Sequence, residues 1–221
     1  MGLGRVNDDV LDEDKRRVIR LQSALVAEQQ FFLAGGTAIG LRLGHRTSRD
    51  LDWFTPNPFD AEALTARLMA LPEQPTEVEA QGPHTLRAHY GELETSFIRY
   101  AQVPAQPDLL RVADTVIPVA NIELLAAMKA AAVHDRGTKR DFVDVYTICK
   151  LPGWSVARFI DHATAQLPLA PVQLKLALTY FVDADREPMP AGFRTPWNEV
   201  RRELLDGVRS WERKREPDLG R

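Results

Sequence analysis

The segment from Leu33 to Phe54 constrains this chain most: Leu-Ala-Gly-Gly-Thr-Ala-Ile-Gly-Leu-Arg-Leu-Gly-His-Arg-Thr-Ser-Arg-Asp-Leu-Asp-Trp-Phe. Phe31-Phe32-Leu33-Ala34 is a short apolar run stopped by Gly35-Gly36, which predicts a buried strand entering a tight turn. Thr37 to Leu43 then predicts a short helix ending near Gly44. The two glycines let the backbone turn sharply and approach a ligand closely. They open a helix whose first N–H groups attract phosphate, and Thr37 adds a hydroxyl there. Asp50 and Asp52 follow, two residues apart. On an extended strand both carboxylates share one face, with Cα atoms about 6.5–7 Å apart. Such a pair repels itself unless a cation lies between, and hard oxygen ligands suit Mg²⁺, which takes one or two carboxylates plus substrate phosphates. A phosphate-binding turn with paired carboxylates is the minimum kit for metal-assisted nucleotidyl transfer. Taken singly, Gly-Gly is ordinarily only a turn and Asp-x-Asp a solvated strand end. Order and separation give the combination its weight.

Around this segment the hydrophobic spacing predicts a helix from Asp8 to about Gln30, a strand over Leu51–Phe54, and a helix from Asp60, its N-cap, to Leu71. Three strands are predicted near Thr76–Ala80, Thr85–Tyr90 and Glu94–Tyr100, the last two joined in a hairpin at Gly91-Glu92, and a fourth over Val112–Val119. From Asn121 onward the pattern is helical, broken at Gly137, Pro152-Gly153, Pro168–Pro171 and Pro188–Pro196. An α/β domain over residues 1–120 and a helical domain over 121–221 are expected.

With 44% apolar and 27% charged residues, the 221-residue chain has an ordinary globular composition. Its net charge of -3 argues against a protein that coats nucleic acid non-specifically. Cys149 is the only cysteine, so no intramolecular disulfide forms. No apolar run reaches the roughly 18 residues of a membrane span, and the charged start is no signal peptide, so a cytoplasmic protein without membrane contact is expected. The five histidines lack metal-ligand spacing, which argues against zinc. Arg201, Arg202, Arg209, Arg213, Lys214 and Arg215 interleave with glutamates, a solvated helix side that also has the composition of an RNA-binding surface. Trp197 and Trp211 lie on the same helical pattern as core or interface residues.

The pattern apolar-Ala-Gly-Gly-Thr-Ala … Leu-x-His-Arg-x-Ser-x-Asp-Leu-Asp-x-Phe resembles the active-site segment of AbiEii/AbiGii-type nucleotidyltransferases of the DNA polymerase β superfamily, which include the MenT toxins. A second mark is similar too: Lys129 within Leu124-Leu-Ala-Ala-Met-Lys-Ala-Ala-Ala-Val-His-Asp-Arg136, followed by Lys139-Arg-Asp-Phe-Val-Asp-Val-Tyr146. The resemblance spans about residues 31 to 150. It implies a polymerase β-like mixed sheet with flanking helices followed by a C-terminal helical bundle. It also implies transfer of NMP from an NTP, with Mg²⁺ or Mn²⁺, to an RNA such as tRNA, by a toxin with a cognate antitoxin or in phage defence. By resemblance, Gly35, Gly36 and Thr37 cradle the triphosphate with Ser48 close by, Asp50 and Asp52 hold the metal, Lys129 neutralises phosphate, and Asp141 completes the site.

Two positions keep alternatives open. If Thr138 caps a helix, Asp141 sits at its third position, where a carboxylate stabilises the helix start by roughly 0.5–1 kcal/mol without any chemistry. Relatives of the superfamily usually carry a third carboxylate on a later strand, and Ser96 occupies that place, which leaves the general base open. A catalytically inactive nucleotide-binding or scaffold protein, and an enzyme acting on a protein or small molecule, are the competing functions.

Overall fold

In a computed structural model describing residues 6–102, 104 and 106–215, the first half of the chain forms seven strands. They are β1 (Phe32–Ala34), β2 (Leu51–Thr55), β3 (Glu77–Gly82), β4 (Thr85–Tyr90), β5 (Leu93–Arg99), β6 (Asp108–Val112) and β7 (Thr115–Val119). One mixed sheet joins them in the order β3-β4-β5-β2-β1-β7-β6. β2 runs antiparallel to β1 and parallel to β5, while β1 runs parallel to β7. The mixed α/β architecture expected from sequence is present. The predicted strand over Val112–Val119 is instead the end of a hairpin. Its turn, Ala113-Asp114, has both residues at positive φ (50° and 64°), the backbone of a tight two-residue hairpin turn. No glycine or asparagine marks it, so the sequence carried no turn signal.

Alternating burial gives this sheet two unlike faces. Leu86, Phe97, Trp53 and Leu33 lie in one register row, all buried, and Ala88, Thr95 and Leu51 form the next. The opposite face presents Arg87, Ser96 and Asp52 in a row. Side chains alternate across a pleat, so the apolar set and the polar set cannot exchange without a register slip.

Helix α1 (Glu13–Glu28) covers the apolar face with Val18, Ile19, Leu25 and Val26. It begins later than the sequence pattern predicts, because Asp12 caps it by accepting from the Lys15 N–H at 2.9 Å, and only a short 3-10 turn (Asp8–Val10) precedes it. Gln22 is the one polar side chain fully buried along it, and it has a specific task. Its Oε1 accepts from the Trp53 indole at 2.7 Å and its amide donates to Thr95 at 3.4 Å. Helix α2 (Gly35–Leu43) follows β1 directly, and α3 (Ala61–Met69) starts at Asp60, which caps it as the sequence predicts.

The chain divides into two compact units between Leu125 and Ala126, inside helix α4 (Ile122–Asp135). The second unit contains α5 (Lys139–Cys149), α6 (Val156–Gln166), α7 (Pro171–Thr179) and α8 (Trp197–Arg213). Helix α8 is its spine: Val200, Leu204, Val208 and Trp211 are buried at helical spacing, against α5, α6 and α7. On its outer side Arg201 pairs with Asp185 and Arg215 with Asp161, as on a solvated face. Among the described residues no helix is long and apolar enough to cross a membrane.

Replacing Gln22 by Ala strands the buried Trp53 N–H. The expected loss is about 1–3 kcal/mol, read as a lower urea midpoint with unchanged slope; an unchanged midpoint would show that water or a neighbour replaces the amide.

Candidate active site

The turn between β1 and α2 is built around close approaches. Gly35 has φ +64°, a left-handed conformation that favours glycine, and a methyl group there would collide with the Asp52 carboxylate. The collision follows from the pairing: Asp52 lies opposite Ala34 in the β1–β2 register, so its carboxylate rests against the start of α2. A methyl group at Gly36 would stand 2.7 Å from both the Ser48 hydroxyl and an Arg46 guanidinium nitrogen. At Gly40, one helical turn later, it would stand 2.9 Å from the Arg46 carbonyl oxygen. The glycine side of α2 is therefore the bed on which the loop at residues 46–48 lies. Thr37 is buried, and its hydroxyl donates to the Asp50 carbonyl oxygen at 2.6 Å.

Gly35, Gly36, Thr37, Ser48 and Asp52 are thus brought together, as the sequence pattern requires, with two refinements. Strand β2 starts at Leu51, so Asp52 is a strand residue whereas Asp50 lies in the segment just before it. The Thr37 O–H is committed to the Asp50 backbone, so it ties the carboxylate segment to α2, and what α2 offers an anion at its start is backbone N–H. Arg46 is 3% exposed and packed at Gly36. The Gly36/Gly40 spacing was the signal for that packing: two glycines one turn apart on a helix admit a chain against it.

Ser96 sits directly beside Asp52 in the β2–β5 register, so the later strand places a hydroxyl at the position nearest that carboxylate. Among the described residues no group of three or more His, Cys, Asp or Glu side chains is arranged to hold a metal ion. Asp50 and Asp52 fit a cation whose remaining ligands are substrate phosphates and water, which is the habit of Mg²⁺. The absence of a β-carbon at Gly35 leaves the Asp52 carboxylate against bare backbone, which fits a phosphate-bound ion there.

In the second unit Lys129 and Asp141 are also brought together, and they are buried. The Lys129 ammonium lies 2.9 Å from Asp141 and 2.8 Å from Asp144, both carboxylates being 0% exposed. Asp141 accepts further from the Arg136 guanidinium at 2.9 and 3.1 Å, and from the Thr138 hydroxyl at 2.6 Å and N–H at 3.3 Å. The helix-start role at α5 is therefore real, and it is a fraction of what Asp141 does. Burial alone would raise the Asp141 carboxyl, but the Lys129 charge and the Arg136 and Thr138 donors outweigh it and hold the group well below the usual carboxylate range. Burial likewise works against the Lys129 charge, and Asp144 and Asp141 overcome it and raise its pKa. A carboxylate held so strongly ionised is a poor proton acceptor.

The glycine turn lies on a mixed sheet, backed by an aspartate on the neighbouring strand. Several solved structures of nucleotidyltransferases share the fold. JHP933 from Helicobacter pylori aligns over 95% of this chain and 94% of its own, at a TM-score of 0.56 and 17% identity. MenT4, a nucleotidyltransferase toxin from Mycobacterium tuberculosis, aligns over 93% and 87% at 0.50 and 15%. ANT(2")-Ia, solved in complex with adenylyl-2"-tobramycin, aligns over 69% and 96% at 0.51 and 16%. An uncharacterized protein of Aquifex aeolicus (strain VF5) is 29% identical over 193 residues, 86% of this chain and 92% of that protein. Residues 20–216 match the model of the family described as nucleotidyl transferase AbiEii toxin, Type IV TA system. The chain belongs to the AbiEii nucleotidyl transferase toxin family.

Two substitutions test the two halves of this description. Gly35→Ala forces a side chain into a left-handed backbone and against Asp52, so NTP binding by calorimetry should fall at least tenfold; a folded variant with parental affinity would refute the cradle. Asp141→Asn breaks a buried ion-pair cluster, at a cost of about 3–5 kcal/mol at neutral pH. Because the Asp141 carboxyl is depressed in the folded state, this contribution is fully present above its unfolded value of about 4 and is lost as pH falls through the folded value. The stability gap between parent and variant should therefore narrow below about pH 4, and a gap that widens there would contradict the assignment.

Proposed function

We propose that the enzyme uses Mg²⁺ or Mn²⁺ to transfer NMP from an NTP to a hydroxyl of an RNA acceptor, such as a tRNA end, as the toxin of a toxin–antitoxin pair. The observation that carries the reading is the contact between the Gly35 backbone and the Asp52 carboxylate. It joins the two things such a transfer needs, a bed for phosphate and a carboxylate that would hold the cation. Asp50 and Asp52 would hold the metal, which when bound would polarise the α-phosphate and offset charge on the leaving pyrophosphate.

The chain's own groups then have distinct duties. The N–H groups at Gly36 and Thr37 bind phosphate oxygens at the positive end of α2. The Ser48 hydroxyl, packed at Gly36, orients the same phosphates. Lys129 has two of its three N–H donors on Asp141 and Asp144, which anchor its ammonium within the second unit.

The decisive experiment incubates the protein with each α-³²P-labelled NTP in Mg²⁺ and total cellular RNA. Label in RNA with one NTP, abolished by EDTA and by Asp52→Ala, is the expected result. Label on protein or on an added aminoglycoside alone would replace the RNA acceptor, and no transfer with intact NTP binding would favour the inactive scaffold.

A further inference from the structure

Attack by a hydroxyl on phosphorus requires a group that takes its proton, and the residues assigned so far supply none. Asp50 and Asp52 are assigned to the cation. Asp141 is locked in ion pairs. Ser96, the residue nearest Asp52 on β5, is a hydroxyl and no base at neutral pH.

The pleat of β5 identifies a better candidate. Side chains two residues apart on a strand share a face, so Glu94 lies on the face of Ser96 and Asp52. Strand rise and spacing put the Cα atoms of Glu94 and Asp52 roughly 8 Å apart on the diagonal, within reach for a long carboxylate and a short one to converge on one substrate. The other face of β5 is closed by buried Leu93, Thr95 and Phe97, which leaves Glu94 no course into the core. Its side chain is 30% exposed. Oε1 accepts from the Ser96 hydroxyl at 3.3 Å, while Arg87 stands 3.6 Å from Oε1 and His89 3.9 Å from Oε2. The one hydrogen bond tilts the carboxylate toward the Asp52 row. Arg87 and His89 stand too far off to hold it rigidly.

We propose that Glu94 is the acceptor-side catalytic carboxylate of this enzyme, taking the proton of the attacking hydroxyl, with Ser96 as its positioning residue. As the acceptor oxygen forms its bond to the α-phosphorus, the bond from that phosphorus to the bridging oxygen breaks. Pyrophosphate leaves with the electron pair, and the hydroxyl proton passes to Glu94. The inference rests on the transferase reading above.

The test compares the parent with Glu94→Gln, Glu94→Asp, Glu94→Gln/Ser96→Asp and Glu79→Gln. Glu79 lies across from Arg87 on the same face and controls for loss of charge. The readouts are label transfer to RNA, binding of Mn²⁺ and of Mn²⁺–NTP by calorimetry, and melting temperature. Glu94→Gln should lower kcat at least 100-fold while leaving Mn²⁺–NTP affinity within about threefold and melting unchanged, a loss of the size expected for a general base. Glu94→Asp should keep part of the activity. Returning a carboxylate at Ser96 should recover at least tenfold over Glu94→Gln, and Glu79→Gln should behave as the parent. Transfer by Glu94→Gln within threefold of the parent overturns the inference, as does a loss matched by Glu79→Gln or by weaker Mn²⁺–NTP binding. If Ser96→Asp impairs folding, intermediate activity of Glu94→Asp sustains the inference and activity equal to Glu94→Gln counts against it. A parent that labels no acceptor would instead defeat the transferase reading, and the inference with it.

Discussion

The missing β-carbon at Gly35 is the constraint on which the rest of the candidate site depends. Because the Asp52 carboxylate occupies the space a side chain would take, the glycine-turn backbone and the carboxylate oxygen are held in van der Waals contact. The β1–β2 pairing sets this contact, the Thr37–Asp50 hydrogen bond reinforces it, and the glycines of α2 keep the returning loop close. Geometry that loops alone would leave soft is thereby fixed by steric exclusion. That matters for chemistry in which a displacement of about 1 Å costs orders of magnitude.

The second unit has a different organising principle. Lys129, Arg136, Asp141 and Asp144 form a cluster of two cations and two anions around the start of α5. Its charges balance, which is the condition under which buried ions persist. A lysine set among Leu124, Leu125 and Met128 needs no path to solvent when two carboxylates come to it. Its ammonium is consequently a directed donor, fixed in position and in charge.

Much of this was legible in sequence because the relevant signals are local. Gly35-Gly36 after an apolar run, Asp60 before an amphipathic helix, and Thr138 three residues before Asp141 each state a backbone event within a few positions. What was not legible depends on register or on missing signals. Nothing local says that the Thr37 hydroxyl turns to Asp50, since that needs the loop to return across α2. The β6–β7 turn uses Ala113 and Asp114 at positive φ, a conformation the sequence does not advertise. The burial of Arg46 followed from Gly36 and Gly40 acting together, whereas each glycine read alone suggests only a turn or flexibility. The pairing of Asp141 with Lys129 needed the angle between α4 and α5, which periodicity does not contain.

The two-faced sheet also sets a parity rule for how this site can vary. On β5 Glu94 and Ser96, and on β4 Arg87 and His89, share the face of Asp52, whereas Leu86, Ala88, Leu93, Thr95 and Phe97 are sealed in the core. Functional groups can migrate along these strands in steps of two without disturbing packing, whereas a step of one would bury a charge and expose a core residue together. Diversity of chemistry on this scaffold should thus spread along alternate residues, with the intervening apolar ones as the invariant frame.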